Sequence, residues 1–432
     1  MTDRETVLDW IDDAREDLVE FLLEFGNVPS PRGREGEAGR FLAEWLTDQG
    51  LDARLQPVVG DRANVVATLS GEQSGDGESL VFNGHIDTAH GDPEEDGQVL
   101  VDQPKAYRES WRDGPFLKGD DVVNDKGPLG AQVFAALALD RAGISLSGDL
   151  HVTGVVGEIS GTTVVEFQDR ERYAGTGLGT RHLVDSGVTG DYALVAECTD
   201  FAVARMECGV VWFEITVESP AAGAYHPLQA RPDVDPGDRQ GAVTDLARTT
   251  LALEEWAGEY PSEHTREYDH GTVTPTAGVG AVRAGKPYAP AAAPRTGTVY
   301  LDVRLPPGET VEFARREVEA VLDDLNVDAT VEPYLFRRGY VADVEGVAGL
   351  TNPLEDAHEA VRGAEPDPPA PHVTSMWRDS NVFNEAGIPS VNFGPPRAPE
   401  AFPDSDLSDA VRIDDLIAAA KIYALTALDV CG

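Results

Sequence analysis

The residues with the clearest chemical potential follow an apolar run, Leu80-Val81-Phe82, which predicts a buried strand. Asn83-Gly84-His85-Ile86-Asp87 comes next, so a His-x-Asp pair lies at the end of that strand. A neutral imidazole binds zinc through one ring nitrogen, and a carboxylate two residues later can fix the ring tautomer through the other nitrogen. Such pairs are also common as purely structural features, so the tripeptide alone leaves both interpretations open.

Three acidic candidates follow further along the chain. Asp125 stands directly before a helical pattern, whereas Glu158 and Glu197 each follow an apolar strand pattern, over 151–156 and 192–196. Parallel strands that end at one edge of a sheet would bring these side chains close to His85. Histidine, aspartate and glutamate are suited to zinc, so a metal site at this edge is the natural hypothesis.

The order and spacing of these segments resemble the zinc-dependent exopeptidases and deacylases that include acetylornithine deacetylase, succinyl-diaminopimelate desuccinylase and carboxypeptidase G. Gly84–Asp87 resembles the Gly-His-x-Asp segment of this family, and Asp125-Lys126-Gly127 resembles its Asp-x-Lys-Gly segment or a variant of it. Further resemblances span nearly the whole chain: Trp111 with Pro115-Phe116, Gly179-Thr180-Arg181, Asp302–Gly308 and Gly387–Pro395.

The length of 432 residues favours two domains. Strands and helices alternate in the first half, which indicates an α/β fold with a mainly parallel sheet and helices on both faces. The resemblance implies a zinc-exopeptidase-like catalytic metal-binding domain made of residues 1–207 and 336–432. It also implies an inserted α+β sandwich over 208–335 that serves as a dimerisation or lid domain, in which helical spacing predicts a helix over 311–325.

The resemblance implies a role for each site candidate. His85, Asp125 and Glu197 would bind one Zn2+ ion, with Asp125 in the position that bridges two metals. Asp87 and Glu158 would be the catalytic carboxylates, with Glu158 as the general base. Zinc lowers the pKa of bound water to about 7, and a nearby carboxylate can take the proton as the water attacks an amide carbonyl. Co2+ or Mn2+ could replace Zn2+.

Two departures from the family affect the second metal position. Relatives carry two adjacent glutamates, a base and then a ligand, where this chain reads Gly157-Glu158-Ile159. Aligned on Gly161, Glu158 takes the base position and Ile159 the ligand position; shifted by one residue, Glu158 becomes the ligand and no base remains. The closing histidine of the family is also absent from 394–415. We therefore expect one strong metal position and a doubtful second one.

Other polar residues are candidates for substrate binding. The resemblance implies that a histidine of the inserted domain serves the active site of the partner subunit. His226 lies near the expected place but lacks the usual Ala-His-Ser pattern, so it is either that donor or an exposed loop histidine. Arg304 could bind a substrate carboxylate or form a surface ion pair. The remaining candidates share one polar segment: His372, Arg378, Asp379 and Asn381.

Replacement ligands are conceivable in two places. His372, with or without Asp379, could return as a metal ligand, although a polar loop of this kind equally suits substrate binding. Asp404 or Asp406 could complete a second metal site, but so acidic a chain favours a solvated surface role for them.

The composition predicts an unusual environment. The formal net charge is −43, and such self-repulsion weakens the compact state in ordinary buffer. At molar salt the Debye length falls to about 3 Å, which removes most of the repulsion. We therefore predict a halophilic source that accumulates salt, with unfolding or lost activity at low salt. Nucleic acids and anionic membranes are poor partners for this surface.

Three cysteines do not form a disulfide framework, and no apolar run resembles a signal peptide or is long enough to span a bilayer, so a cytoplasmic location is expected. A Gly-x-Ser-x-Gly nucleophile motif is also missing. The sequence thus predicts a homodimeric, metal-dependent hydrolase of N-acyl amino acids or short peptides. The alternative is a catalytically impaired member of the same fold that binds a small molecule or a partner.

Overall fold

The structure is a computed structural model that describes residues 2–72, 77–90, 105–159, 161–164, 170–219, 241–404 and 407–432. The chain divides into two compact units. The first unit comprises Met1–Arg205, Ala342–Ala370 and Arg378–Gly432, and the second comprises Met206–Val341 and Pro371–Trp377. The second unit thus extends slightly beyond the predicted insertion at both ends and also takes in a short segment near residue 374.

The strands are numbered in chain order. They are β1 (Asp52–Val59), β2 (Arg62–Leu69), β3 (Leu80–His85), β4 (Trp111–Asp113), β5 (Phe116–Lys118), β6 (Leu150–Val155), β7 (Tyr192–Ala196), β8 (Met206–Glu207), β9 (Gly209–Glu218), β10 (Arg266–Tyr268), β11 (Gly271–Val273), β12 (Ala277–Ala284), β13 (Thr296–Leu305), β14 (Asp328–Arg337), β15 (Tyr340–Val341), β16 (Ser390–Phe393) and β17 (Ala410–Arg412).

The helices are numbered in the same way. They are α1 (Asp3–Asp13), α2 (Arg15–Gly26), α3 (Gly36–Asp48), α4 (Gly127–Arg141), α5 (Arg170–Tyr173), α6 (Leu178–Asp185), α7 (Ala242–His264), α8 (Val311–Leu325), α9 (Val344–Arg362), α10 (Pro371–Thr374), α11 (Ser380–Glu385) and α12 (Ile413–Cys431). A single π-helical turn, Val122–Lys126, precedes α4.

A six-stranded sheet in the order β1-β2-β6-β3-β7-β16 forms the centre of the first unit. The strands β6, β3, β7 and β16 are parallel to one another, and β1 and β2 extend the sheet in antiparallel fashion. β3 and β16 are buried along their full lengths, and β3 accordingly begins with the continuous apolar run Leu80-Val81-Phe82. The predicted α/β fold with a mainly parallel sheet is therefore confirmed.

Alternate residues of these strands enter two different cores. Phe82 belongs to the core that contains α4 and α12, whereas its neighbour Val81 packs with Leu183 of α6 and Phe383 of α11. Since successive side chains of a strand point to opposite faces, helices cover both faces of the sheet. Because both faces are covered by helices, the edge where the parallel strands end is the part of the sheet that can carry polar side chains.

The second unit contains a four-stranded antiparallel sheet in the order β12-β13-β9-β14. Alternate residues of β9, Phe213 among them, form a core with Leu246 of α7 and Val318 of α8. Helix α8 has the predicted bounds. A role of this unit in dimerisation remains a proposal. Within the described ranges, no helix is both long and apolar enough to cross a membrane.

Candidate functional site

Three of the predicted site residues follow neighbouring parallel strands. His85 is the last residue of β3, Glu158 comes three residues after β6, and Glu197 comes directly after β7. Because β6, β3 and β7 are adjacent and parallel, their carboxyl ends lie at one edge of the sheet. His85, Glu158 and Glu197 are buried there.

The imidazole of His85 is oriented by the main chain. Its Nδ1 lies 2.9 Å from the backbone carbonyl oxygen of Asp87, which can only accept a hydrogen bond, so Nδ1 carries the proton in the neutral ring. The carboxylate of Asp87 is more distant from Nδ1, at 3.7 Å. The sequence had suggested that this carboxylate fixes the tautomer, but the carbonyl of the same residue makes the shorter contact.

The carboxylate of Asp87 instead holds the loop that follows β6. It accepts hydrogen bonds from the backbone N–H groups of Glu158, at 3.1 Å, and of Ile159, at 2.9 Å. The side chain of Asp87 is fully buried. Asp87 therefore positions the main chain of Glu158, whose carboxylate lies 3.8 Å from Nε2 of His85.

Asn124 is a site residue that the sequence interpretation missed. Its Oδ1 lies 3.3 Å from Nε2 of His85. The family segment Asp-x-Lys-Gly aligns without a gap with Asn124-Asp125-Lys126-Gly127. This alignment places Asn124, and not Asp125, at the position of the family aspartate, so the sequence did contain a signal for Asn124. The oxygen of a neutral carboxamide therefore faces Nε2 of the imidazole, where the sequence predicts the carboxylate of Asp125.

Asp125 itself lies deeper in the protein. It is fully buried, and neither of its carboxylate oxygens has a hydrogen-bond partner of normal geometry among the described residues. The nearby backbone N–H of His85 nevertheless favours the ionised form of the carboxyl group. A Cβ atom at Gly84 would lie only 2.9 Å from one of these oxygens, so strand β3 needs glycine there. Burial raises the pKa of Asp125 well above its usual range, and the charges of Glu197 and Glu158 raise it further.

Glu197 forms an ion pair with Arg378. Nε of Arg378 lies 3.1 Å from a carboxylate oxygen of Glu197, and the two side chains are only 11 % and 8 % exposed. The guanidinium also favours the ionised forms of Glu158 and Asp125, since its charge lowers the pKa of both carboxyls. Arg378 is thus the positive charge that these acidic side chains share.

Acidic groups nevertheless dominate the electrostatics of this edge. Burial raises the pKa of Glu158 well above its usual range, and the charges of Glu197, Asp379 and Asp87 add to the effect. Burial also raises the pKa of Asp379 to about 6, although a hydrogen bond from Oγ1 of Thr180, at 2.6 Å, opposes the shift. Glu158 and Asp379 consequently retain protons to a higher pH than exposed carboxyl groups do.

The other predicted substrate-binding residues fall in different places. Asn381 is buried in α11, next to Asp379 in the first unit. Arg304 and His372 belong to the second unit, where Arg304 is 2.9 Å from Asp302 and His372 is exposed. Their roles in substrate binding stay predictions. Of the remaining candidates, Asp404 is exposed, and His226 and Asp406 lie outside the described residues.

A second buried ion pair lies behind the loop that carries Glu158. Arg62 donates two hydrogen bonds to Glu35, Nε at 2.7 Å and Nη2 at 2.6 Å, and a third from Nη1 to the backbone carbonyl of Ala174. At Gly157, where φ is +68°, an added Cβ would lie 2.7 Å from Nη2 of Arg62. Sequence spacing did not indicate this pair, because its partners come from separate elements.

The family resemblance implies a metal centre, but these residues do not fit one. A carboxamide faces His85, Ile159 stands beside Glu158, and Glu197 is paired with a guanidinium that would repel a divalent ion. Among the described residues, no three histidine, cysteine, aspartate or glutamate side chains are grouped so that they could hold a metal. The zinc position predicted from His85, Asp125 and Glu197 is therefore not formed by the arrangement observed.

Solved structures support the fold. Human carnosine dipeptidase 1 superposes with a TM-score of 0.70 at 16 % identity, covering 100 % of this chain and 99 % of that one. A Bacillus subtilis protein described as a dinuclear metal-binding peptidase of family M20 superposes with a TM-score of 0.59 at 14 % identity, covering 97 % and 99 %. At such low identities these structures show similarity of fold.

Sequence relatives agree with this fold. A Halalkalibacterium halodurans N-formyl-4-amino-5-aminomethyl-2-methylpyrimidine deformylase is 25 % identical over an alignment 453 positions long, gaps included, which covers 96 % of this chain and 95 % of the relative. A probable carboxypeptidase from Aspergillus clavatus is 26 % identical over 310 residues, covering 71 % and 62 %. The family model described as peptidase family M20/M25/M40 matches residues 81–429. This chain therefore belongs to peptidase family M20/M25/M40, whose members are hydrolases of amide and peptide bonds.

Proposed function

We propose that this protein hydrolyses the amide bond of a small N-acyl amino compound, with Glu158 as the general base. The observation that carries the proposal is the placement of Glu158. Its main chain is fixed by the carboxylate of Asp87, and its own carboxylate faces His85 at the edge where the parallel strands end. A buried carboxylate at such an edge is suited to general acid–base work.

The chemistry assigned to Glu158 is a proton relay. Its carboxylate accepts a hydrogen bond from a water molecule and takes a proton as the water oxygen attacks the carbonyl carbon of the amide. The same carboxyl group then returns the proton to the leaving nitrogen. Asp87 is a positioning residue in this scheme, because its two hydrogen bonds prevent the backbone at 158–159 from moving away. No step of this relay is assigned to a metal ion, since the described side chains do not fit one.

The class of substrate is supported by the sequence relatives. The deformylases that align along nearly the whole chain remove, by their names, a formyl group from an aminopyrimidine, and a partial match is named a probable carboxypeptidase. Both names involve cleavage of a C–N amide bond. We therefore extend the predicted class, N-acyl amino acids and short peptides, to formyl and acetyl amides of other amino compounds.

The test is a substrate panel assayed in molar KCl. Formyl and acetyl amides, N-acyl amino acids and dipeptides are incubated with the protein, and the released amine is quantified by mass spectrometry. For any substrate that is cleaved, Glu158→Gln is expected to lower kcat by about 100-fold or more, because general-base catalysis contributes roughly that amount.

A matched control is Glu24→Gln, which removes the charge of an exposed carboxyl group and should leave kcat unchanged. Circular dichroism checks that both variants fold. Full activity of Glu158→Gln would exclude this residue as the base, and a protein that cleaves no member of the panel would contradict the proposed reaction.

The assay conditions and assembly state are part of the proposal. With a formal charge of −43, we propose that the protein needs molar salt to remain folded and active. We also propose a homodimer formed through the second unit and a cytoplasmic location. Light scattering on the protein in molar KCl, and again at low salt, tests the first two statements.

A further inference from the structure

We infer that Arg378 takes the place of a metal ion at this site, so that the positive charge opposite Glu197 is a side chain of the protein itself. The inference rests on geometry. Arg378 lies directly before Asp379, at the start of α11, and its guanidinium contacts Glu197 in a nearly solvent-free position. It extends the proposed function by identifying the cation of the site.

The surroundings of Glu197 show that its contact with Arg378 is not an ordinary surface ion pair. An exposed arginine can pair with many groups and contributes little to stability. In this pair, however, both side chains are about nine-tenths buried. Burying a carboxylate without a partner is costly, so Glu197 requires either a cation or a hydrogen-bond donor. Arg378 supplies both, because each N–H of a guanidinium is a donor and its charge is permanent.

The same arrangement disfavours a metal ion. A divalent ion bound to Glu197 would have to lie beside the guanidinium, against strong charge repulsion. It would also face the neutral carboxamide of Asn124 near His85, where a carboxylate would bind it more tightly. Ile159 adds no ligand on the neighbouring loop. Arg378, Asn124 and Ile159 therefore each differ from what a metal site requires, and all three differences favour a site without a metal.

The first experiment measures metal directly, so it does not depend on finding a substrate. The full-length protein is equilibrated with zinc in molar KCl, desalted into the same salt, and analysed by plasma mass spectrometry. We expect less than about 0.1 zinc ion per chain. We also expect that zinc or a chelator shifts Tm by less than about 1 °C, whereas zinc at 100 times its Kd would raise Tm by about 3 °C.

The second experiment uses Arg378→Met, which keeps an unbranched apolar stem but removes the guanidinium group and its charge. We expect this variant to retain at least about ten times more zinc than the wild type, because Glu197 becomes available as a ligand at the sheet edge that also carries His85. A residue with a merely structural role would not change zinc retention. Arg378→Lys keeps a positive charge and is expected to retain as little zinc as the wild type.

The zinc measurements test the inference about Arg378 independently of the substrate panel, which tests the proposed reaction. One zinc ion per chain in the wild type, lost in His85→Ala, would overturn the inference even if amide hydrolysis is observed. Zinc retention by Arg378→Met equal to that of the wild type would also overturn it. Should Arg378→Met fail to fold, the metal content and Tm of the wild type still decide. A metal-free protein that cleaves no substrate would contradict only the proposed reaction.

Discussion

Two arginine–glutamate pairs among the described residues of the first unit are buried, but they differ in how far water is excluded from them. In the pair Arg62–Glu35 the side chains are 1 % and 0 % exposed, and two parallel hydrogen bonds join the guanidinium to the carboxylate. In the pair Arg378–Glu197 the exposed fractions are 11 % and 8 %, and Nε of Arg378 lies 3.1 Å from the carboxylate. The first pair holds structural elements together, whereas the second lies at the sheet edge where we propose that catalysis takes place.

The difference follows from the positions of the two pairs in the sheet. Arg62 begins β2 and lies behind the loop at Gly157, so it joins α3 and β2 to the chain that leads to Glu158. Glu197 ends β7 at the edge where the parallel strands finish. The first pair is almost completely removed from water, whereas the second keeps a small exposed area through which water or a ligand can reach it. We therefore expect the two arginines to respond differently to substitution.

The largest effect on stability is expected for Arg62→Met. Removing one partner of a fully buried pair leaves Glu35 as an uncompensated charge, which costs about 3–5 kcal/mol. The free energy of unfolding, measured by denaturant titration in molar KCl, should fall by that amount. The loss in Arg378→Met should be smaller, about 1–3 kcal/mol, because Glu197 keeps some contact with water. Equal losses in the two variants would contradict the distinction between the pairs.

Asp120 sharpens the comparison, because it forms no ion pair with an arginine in the part of the chain that the structure describes. Asp120 is buried, and one of its oxygens has no hydrogen bond in the described residues. Burial raises its pKa to about 7, and the charges of Asp409 and Asp121 contribute to the shift. The usual pKa of about 3.9 applies in the unfolded chain. Between these values the folded state binds more protons, so this group destabilises the protein increasingly as pH rises toward 7.

The expected result is a pH-dependent gain for Asp120→Asn. Because the amide cannot ionise, the variant should be more stable than the wild type at pH 8 by about 1–3 kcal/mol, and this advantage should disappear near pH 4. Unfolding free energies are compared across that range. The matched control Asp324→Asn, at an exposed helix position, should show no such pH dependence. An advantage that is constant with pH would mean that Asp120 does not titrate as inferred.

Much of the fold could be predicted because it follows from local patterns. The amphipathic spacing of Val311–Leu325 predicted α8 at its observed bounds, and the continuous apolar run in β3 indicated a strand buried on both faces. Strand β12 was missed, since its glycine- and alanine-rich sequence is largely exposed and has no apolar alternation. Pattern recognition succeeds where burial imposes a period on the sequence, and fails where it does not.

The candidate site was predictable only in part, for a related reason. His85, Glu158 and Glu197 follow apolar strands, and the topology of a parallel sheet brings strand ends together. Asn124 escaped notice because its neighbour Asp125 is chemically more conspicuous, and Arg62 and Glu35 because they are 27 residues apart with no shared motif. The pairing of Arg378 with Glu197 is a contact between distant segments, and such contacts depend on the packed structure.

The smallest effect is expected for an exposed pair, Arg4 with Asp429, whose side chains are 46 % and 27 % exposed. Exposed ion pairs contribute up to about 1 kcal/mol in dilute buffer and less at molar salt, where the Debye length is about 3 Å. Arg4→Met should therefore change the free energy of unfolding in molar KCl by less than about 0.5 kcal/mol. A loss as large as that of Arg378→Met would mean that burial is not what separates these pairs. A negligible loss would confine the stabilising role of arginine in this highly acidic protein to the few positions where water is excluded.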